Sequence, residues 1–224
     1  MRFWSAAVAL AFALPLTSAH SQEVGQAKYL GNEGVLVSSG GTKILFDAFY
    51  AESFAGQYTL VPTALEAAMM EGKAPFDGVD AIFITHIHPD HFNSRKTIAY
   101  MRAHPNVRLY AGIDVVGAIR AADASSDPLM KRVVSIHVPP GEKPATFSVE
   151  GLEIEAFAIP HSGEGPVPHY AFRVSLDRRA TVMHLGDADV DERHYIPYQA
   201  DFDRKRTHVA FPPAWMVADG SGGR

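Results

Sequence analysis

The chain contains no cysteine, which excludes disulfides, thiolate metal sites and thiol nucleophiles. It also lacks an excess of positive charge. Lys and Arg total 20 against 25 Asp and Glu, a formal net charge of −5. That balance argues against nucleic acid as a partner, because a phosphate-backbone binder needs a basic face. Beyond its first residues no apolar run is long enough to span a bilayer. Internal repeats and low-complexity linkers are absent too. What remains is ordinary for a globular protein: 224 residues, 47% hydrophobic and 20% charged. A chain of that size and composition buries one sizeable core without covalent staples.

The first segment reads as an address rather than as part of the fold. Met1-Arg2 supplies a positive start, and Phe3 to Leu16 is almost wholly apolar. That length suits the hydrophobic region of a signal peptide and is short for a membrane span. Thr17-Ser18-Ala19 or Ala19-His20-Ser21 offers small residues for cleavage. The expectation is a signal peptide over residues 1–21 and one domain over residues 22–224. The mature protein is then periplasmic or secreted, with no stable membrane span. Oligomeric state is not readable.

Along the rest, short apolar runs alternate with helical patterns. Leu36–Ser39 and Lys43–Phe46 are strands joined by Gly40-Gly41, a hairpin signal. Ala64–Met70, Lys96–His104 and Val115–Ala122 carry helical spacing, with Asn93 or Ser94 as the cap of the second. Ala81–Thr85 is a continuous apolar run, as expected of a strand covered on both faces. Val107–Ala111 is another strand. The second half is richer in strands: Val133–Val138, Ala145–Val149, Leu152–Ala158, Ala171–Leu176 and Thr181–Leu185. This order predicts an α+β domain whose sheets are covered by helices.

The strongest chemical signal is Thr85-His86-Ile87-His88-Pro89-Asp90-His91-Phe92, where the buried strand ends. His86 and His88 are two apart, so an extended backbone turns both imidazoles to one side. Pro89 stops the strand and leaves Asp90 and His91 in the following turn. Imidazole and carboxylate are the ligands zinc takes when thiolates are absent. Composition alone gives about 0.002 expected occurrences of this pattern, so it is specific. Downstream, His161 and Asp187 each end an apolar run and enter a glycine-containing turn, a place where loops carry function. His169 follows a flexible Gly- and Pro-rich loop and is read as a substrate contact. His184 is read as packing beneath the metals, whereas His104, His137, His194 and His208 are read as structural or surface groups. Ser162 beside His161 is not read as a nucleophile, because adjacent residues rarely face each other. Phe49, Tyr50, Phe54 and Tyr58 are candidates both for a pocket wall and for the core.

The series His86-x-His88-x-Asp90-His91, His161 and Gly186-Asp187 resembles the metallo-β-lactamase fold superfamily of metal-dependent hydrolases, over about Tyr29 to Met216. Tyr29–Gly34 and Ile44–Asp47 resemble that family's opening hairpin, with Asp47 structural. The resemblance implies a four-layer αββα sandwich with a dinuclear site at one edge of its sheets. It implies that His86, His88 and His161 hold the first metal, that Asp90 and His91 hold the second, and that Asp187 bridges both. It also implies a last histidine on a later strand. The sequence shows none there, and the favoured expectation is a truncated C-terminal helix and strand. The cofactor expected is Zn2+, two ions with the second site incomplete, with iron or manganese as other candidates.

Such a site suits hydrolysis of an ester, lactone or phosphodiester bond in a small-molecule substrate, with Asp90 as the catalytic carboxylate that orients the nucleophile and passes its proton on. The His-Leu-Gly-Asp-Ala-Asp run is more similar to the lactonases and phospholipase-D-like members than to true β-lactamases. The alternatives are an iron-dependent redox member of the same fold and a degenerate, non-catalytic metal-binding domain.

Overall fold

The computed structural model describes residues 25–123, 125, 127–163 and 165–217. The expected signal peptide lies outside the described residues. One mixed sheet holds six strands in sequence order: β1 (Gln26–Gly31), β2 (Gly34–Ser39), β3 (Thr42–Phe46), β4 (Ala81–Ile84), β5 (Arg108–Gly112) and β6 (Val133–Ile136). The first three are antiparallel and the last four run parallel. Helices α1 (Thr63–Met70), α2 (Ser94–Ala103), α3 (Ile113–Ala122) and α4 (Asp127–Met130) lie in the crossovers. Parallel neighbours require such crossovers. The Asn93 side chain caps α2, accepting from the Lys96 N–H at 3.1 Å.

The second sheet, also mixed, runs in the order β11 (Val209–Phe211), β10 (Ala180–His184), β9 (Ala171–Leu176), β8 (Leu152–Phe157) and β7 (Ala145–Val149). Only the β10–β11 pairing is parallel. A short helix α5 (Gln199–Arg204) packs outside it.

Side-chain alternation explains the layering. In β4, Ile82 and Ile84 face the helices while Ala81 and Phe83 face the other sheet, so every residue of the strand is buried. Between the sheets, Val35, Val37, Ile44 and Phe46 meet Ile154, Phe172, Val174 and Leu176. On the far face Phe157, Met183 and Leu185 pack beneath Tyr198 and Phe202. The result is the expected αββα sandwich. No described helix is long and apolar enough to cross a membrane.

Three elements do not follow from the sequence pattern. β1 precedes the hairpin that was expected, and α4 and α5 are only four and six residues long. Helices so short do not hold together by periodicity alone. α5 is tied down by Arg173 of β9, which is fully buried, pairs with Glu155 at 2.7 Å and donates to the Asp201 and Lys205 carbonyls. β6 also stops at Ile136, two residues earlier than expected.

Candidate metal centre

The candidate ligands leave strand ends at one edge of the sandwich. His86, His88, Asp90 and His91 follow the carboxyl end of β4, and Asp47 follows the carboxyl end of its parallel neighbour β3. His161 follows β8 and Asp187 follows β10. Main-chain bonds stitch the loops together. Ser162 N–H donates to the Asp187 carbonyl at 2.8 Å, and Tyr170 N–H to the Thr85 carbonyl at 3.0 Å. Gly186 has φ +52, and a Cβ there would lie 2.7 Å from Thr85 Oγ1 and 2.8 Å from His169 Nε2. The turn that delivers Asp187 therefore needs glycine.

The hydrogen bonds assign the imidazole tautomers. Thr85 Oγ1 lies 2.6 Å from Asp47 Oδ2 and 3.0 Å from His86 Nδ1. The hydroxyl has one proton and the carboxylate can only accept, so Thr85 donates to Asp47 and accepts from His86 Nδ1–H. The lone pair on His86 Nε2 then points inward, 3.0 Å from His88 Nδ1. His91 Nδ1–H likewise donates to Asp47 Oδ2 at 2.9 Å, which presents Nε2 to the centre. A carboxylate behind a metal-binding histidine commonly sets ring orientation in this way.

One ligand atom each from His86, His88, His161 and Asp187 falls within 4.8 Å of the others. The two oxygens of Asp187 serve different neighbours. Oδ2 is 3.5 Å from His161 Nε2 and 3.9 Å from His86 Nε2. Oδ1 is 3.2 Å from His91 Nε2, which in turn lies 4.0 Å from Asp90 Oδ2. The structure thus gathers His86, His88, His161 and Asp187 into one group, with His91 beside Asp187 and Asp90 beside His91.

The electrostatics call for a cation. Burial, with His91 next, pushes His86 well below the ordinary histidine range, and burial also lowers His88. Burial alone would lower His91, yet the Asp187 and Asp47 carboxylates beside it outweigh burial and push it well above the ordinary histidine range. Burial works against ionisation of Asp187, but the His161 and His91 imidazoles beside it hold it far below the carboxylate range. The buried Nε2 of His161 has no hydrogen-bond partner among the described residues. Inward lone pairs, an orphaned buried nitrogen and a carboxylate with divided oxygens fit divalent cations bound by nitrogen and oxygen.

The other expectations divide. His169 is not on an open loop. It is 3% exposed, donates from Nδ1 to the Ile159 carbonyl at 2.8 Å, and keeps a buried Nε2 without a partner. It stands behind His86, ring centres 5.3 Å apart. Burial lowers its pKa to about 4. Folding therefore keeps it neutral while the unfolded chain takes up a proton below its ordinary 6.5, so stability falls as pH drops from about 6.5 to about 4. At pH 5 this residue is expected to cost about 2 kcal/mol relative to pH 7. Urea unfolding of His169→Gln at both pH values should show a smaller acid loss by that amount. An unchanged loss would remove His169 from the account.

His184 does pack beneath the site. Its Nε2–H donates to the Glu33 carbonyl at 2.7 Å and its Nδ1 accepts from Gly186 N–H at 2.9 Å. His208 Nδ1 accepts from Thr181 N–H and His104 Nε2 bonds the Met70 carbonyl, so both are structural. Among the aromatics, Phe49 and Tyr50 are core, whereas Phe54 and Tyr58 line a cavity of about 390 Å3 with His88, Asp90, His161 and Asp187. A second groove of about 480 Å3 opens on the other side of His161, walled by Ile113, Pro139, Pro166 and Val167. Thr85 and Glu33 were not singled out by the sequence. Thr85 ends an apolar run beside the histidines, a signal available in hindsight, but nothing local marks Glu33.

Residues 42–211 match the family described as Beta-lactamase superfamily domain. No curated protein matches significantly. Among solved structures, the diiron beta-hydroxylase CmlA from Streptomyces venezuelae has TM-score 0.54 at 15% identity, covering 88% of this chain and 37% of its own. Isothiocyanate hydrolase from Delia radicum gut bacteria has TM-score 0.52 at 18% identity, covering 83% of this chain and 69% of its own. Igni18, a metallo hydrolase from Ignicoccus hospitalis, has TM-score 0.47 at 20% identity, covering 74% and 62%. For CmlA and the isothiocyanate hydrolase the likeness at these identities shows the fold alone. The chain spans 62% of Igni18 and 37% of CmlA.

Proposed function

Because the chain belongs to the beta-lactamase superfamily domain family, a family of the metallo-hydrolase fold, we propose that it is a zinc-dependent hydrolase acting on an ester, lactone or phosphodiester of a small molecule. His86, His88 and His161 would hold one cation, Asp90 and His91 a second, and Asp187 both. The observation that carries this reading is the divided Asp187 carboxylate, one oxygen toward His161 and the other toward His91. When bound, such cations supply Lewis acidity and bring the pKa of a water molecule toward about 7. Asp90, buried and lining the cavity, would orient the attacking water, accept its proton and return it to the leaving group. Phe54 and Tyr58 wall the cavity and limit water around the substrate. The apolar leader at residues 1–21 would direct the domain at 22–224 to the periplasm or outside the cell.

The test is metal analysis of protein purified without added metal, alongside hydrolysis of ester, lactone and phosphodiester panels. His88→Ala should lose metal and reduce turnover at least about a thousandfold. Retained turnover in that variant would refute the site. Iron in place of zinc would refute the zinc assignment, and full occupancy with no hydrolysis would refute the enzyme.

A further inference from the structure

We propose that the groove on the far side of His161 is a subsite for an apolar chain, so that the substrate is an ester or lactone with an aliphatic acyl group. The inference rests on the hydrolase reading above and narrows its substrate class.

The groove, about 480 Å3, is built from four segments. These are the start of α3 at Ile113, the loop after β6, the end of β8 through Pro160 and His161, and the loop that leads into β9. Pro139, Pro140, Pro160, Pro166 and Pro168 all lie on its walls. Proline fixes φ, so such walls lose little freedom when a ligand settles against them. Hydrogen bonds tie the segments to one another. Val138 N–H donates to the Tyr170 hydroxyl at 3.2 Å. Gly141 N–H donates to the Tyr198 hydroxyl at 2.9 Å, and that hydroxyl donates to the Ala158 carbonyl at 3.1 Å. The fold therefore shapes the groove before any ligand arrives.

Its chemistry is one-sided. Among the described residues, no Asp, Glu, Lys or Arg lines it. The Tyr170 hydroxyl is engaged by Val138, and His169 spends its Nδ1–H on the Ile159 carbonyl and keeps Nε2 buried. What stands open is Ile113, 51% exposed, together with Val138, Val167 and the proline rings. A charged or sugar-like group would lose water there without gaining partners. An alkyl chain loses nothing and covers apolar surface.

The position of the groove connects this chemistry to the candidate metal centre. His161 borders both the groove and the cavity walled by Phe54 and Tyr58. The cavity side carries Glu52, Asp90 and Asp187, whereas the groove side is uncharged. A chain lying in the groove ends at His161, beside His88 and Asp187. The carbonyl at the end of that chain reaches the candidate ligands, and the polar remainder of the substrate falls on the cavity side.

The experiment titrates the purified full chain by calorimetry with N-methylalkanamides, from N-methylbutanamide to N-methyloctanamide. These carry the acyl chain on a bond that resists hydrolysis. Each buried methylene should tighten binding about threefold, so affinity should rise at least about tenfold across the series. Ile113→Asp puts a charge in the groove, in the first turn of α3 where a helix accepts an acid. It should cut the rise to about threefold or less. Val167→Asp, on the loop before β9, should do the same and serves where Ile113→Asp does not fold. Affinity independent of chain length would overturn the proposal, as would a full rise in both folded variants. A rise lost in Phe54→Ala and kept in Ile113→Asp would place the chain in the other cavity and overturn it too. Hydrolysis of p-nitrophenyl acetate and octanoate by the same protein separates the two readings. Turnover of both esters with no length preference in kcat/KM would overturn the groove and leave the hydrolase standing. Length-dependent amide binding with no ester turnover would overturn the hydrolase and leave the groove as an apolar-chain site.

Discussion

Asp187→Asn is expected to abolish the proposed dinuclear centre without disturbing the fold. Its main chain is held independently of the carboxylate, by Ser162 N–H on its carbonyl and by the Gly186 turn that His184 anchors. Asparagine keeps that geometry and one oxygen. It removes the charge that Oδ2 presents to His161 at 3.5 Å and Oδ1 to His91 at 3.2 Å. Both groups of ligands weaken together, because a single side chain serves both. Bound metal should fall from two ions to one or fewer per chain. Hydrolysis should fall at least about a thousandfold, the equivalent of roughly 4 kcal/mol of lost transition-state stabilisation. Metal counting and turnover on the same preparation check this. Two retained ions with turnover within tenfold would show that Asp187 does not bridge.

Asp47→Ala should have the largest effect on stability. Asp47 is fully buried and accepts three bonds, from Thr85 N–H at 2.9 Å, Thr85 Oγ1 at 2.6 Å and His91 Nδ1 at 2.9 Å. Alanine leaves these donors buried and unpaired, and one of them belongs to a ring that its neighbouring carboxylates push toward the charged form. Each orphaned neutral donor costs about 1–3 kcal/mol and a charged one more. Asp47 also has φ +37, a left-handed conformation that alanine adopts less readily than aspartate. The sum is a loss of about 3–5 kcal/mol, the range seen when one partner of a buried pair is removed. In a domain of this size each kcal/mol moves the unfolding midpoint by roughly 2–4 °C, so a drop of about 10–15 °C is expected. Calorimetry of metal-stripped protein isolates this effect from metal loss. A drop below about 3 °C would mean that the bonds around Asp47 contribute little.

The pairing of these two residues shows where the sequence was readable. The His-x-His-x-Asp-His run was legible because its geometry is local. An extended backbone sends His86 and His88 to the same side, and Pro89 ends the strand before Asp90 and His91. His161 and Asp187 were legible more weakly, as single polar residues at the ends of apolar runs. Their roles came from the resemblance rather than from spacing, and the structure places them against the first group. The aromatic run was not divisible by pattern. Phe49 and Tyr50 belong to the core and Phe54 and Tyr58 to the cavity, because the chain turns away from the sheet between them. His169 is buried rather than on an open loop for a related reason. Glycine and proline upstream signal a loop, but the loop returns inward just before β9 and seats the ring behind His86.

By itself the sequence determined the order of the longer strands and of α1, α2 and α3, the two-faced burial of β4 and the first cluster of ligands. Each depends on residues within one turn or one strand of each other, where backbone geometry alone decides direction. Only the tertiary structure decided which oxygen of Asp187 meets which histidine, which nitrogen of His86 and His91 faces inward, and that His184 Nε2 meets the Glu33 carbonyl. Those outcomes depend on groups brought together from distant parts of the chain, such as Glu33 and His184, Asp47 and His91, Thr85 and Gly186. Their positions are fixed by the packing of two sheets against each other and by the need to satisfy buried polar atoms, and neither constraint leaves a periodic trace in the sequence.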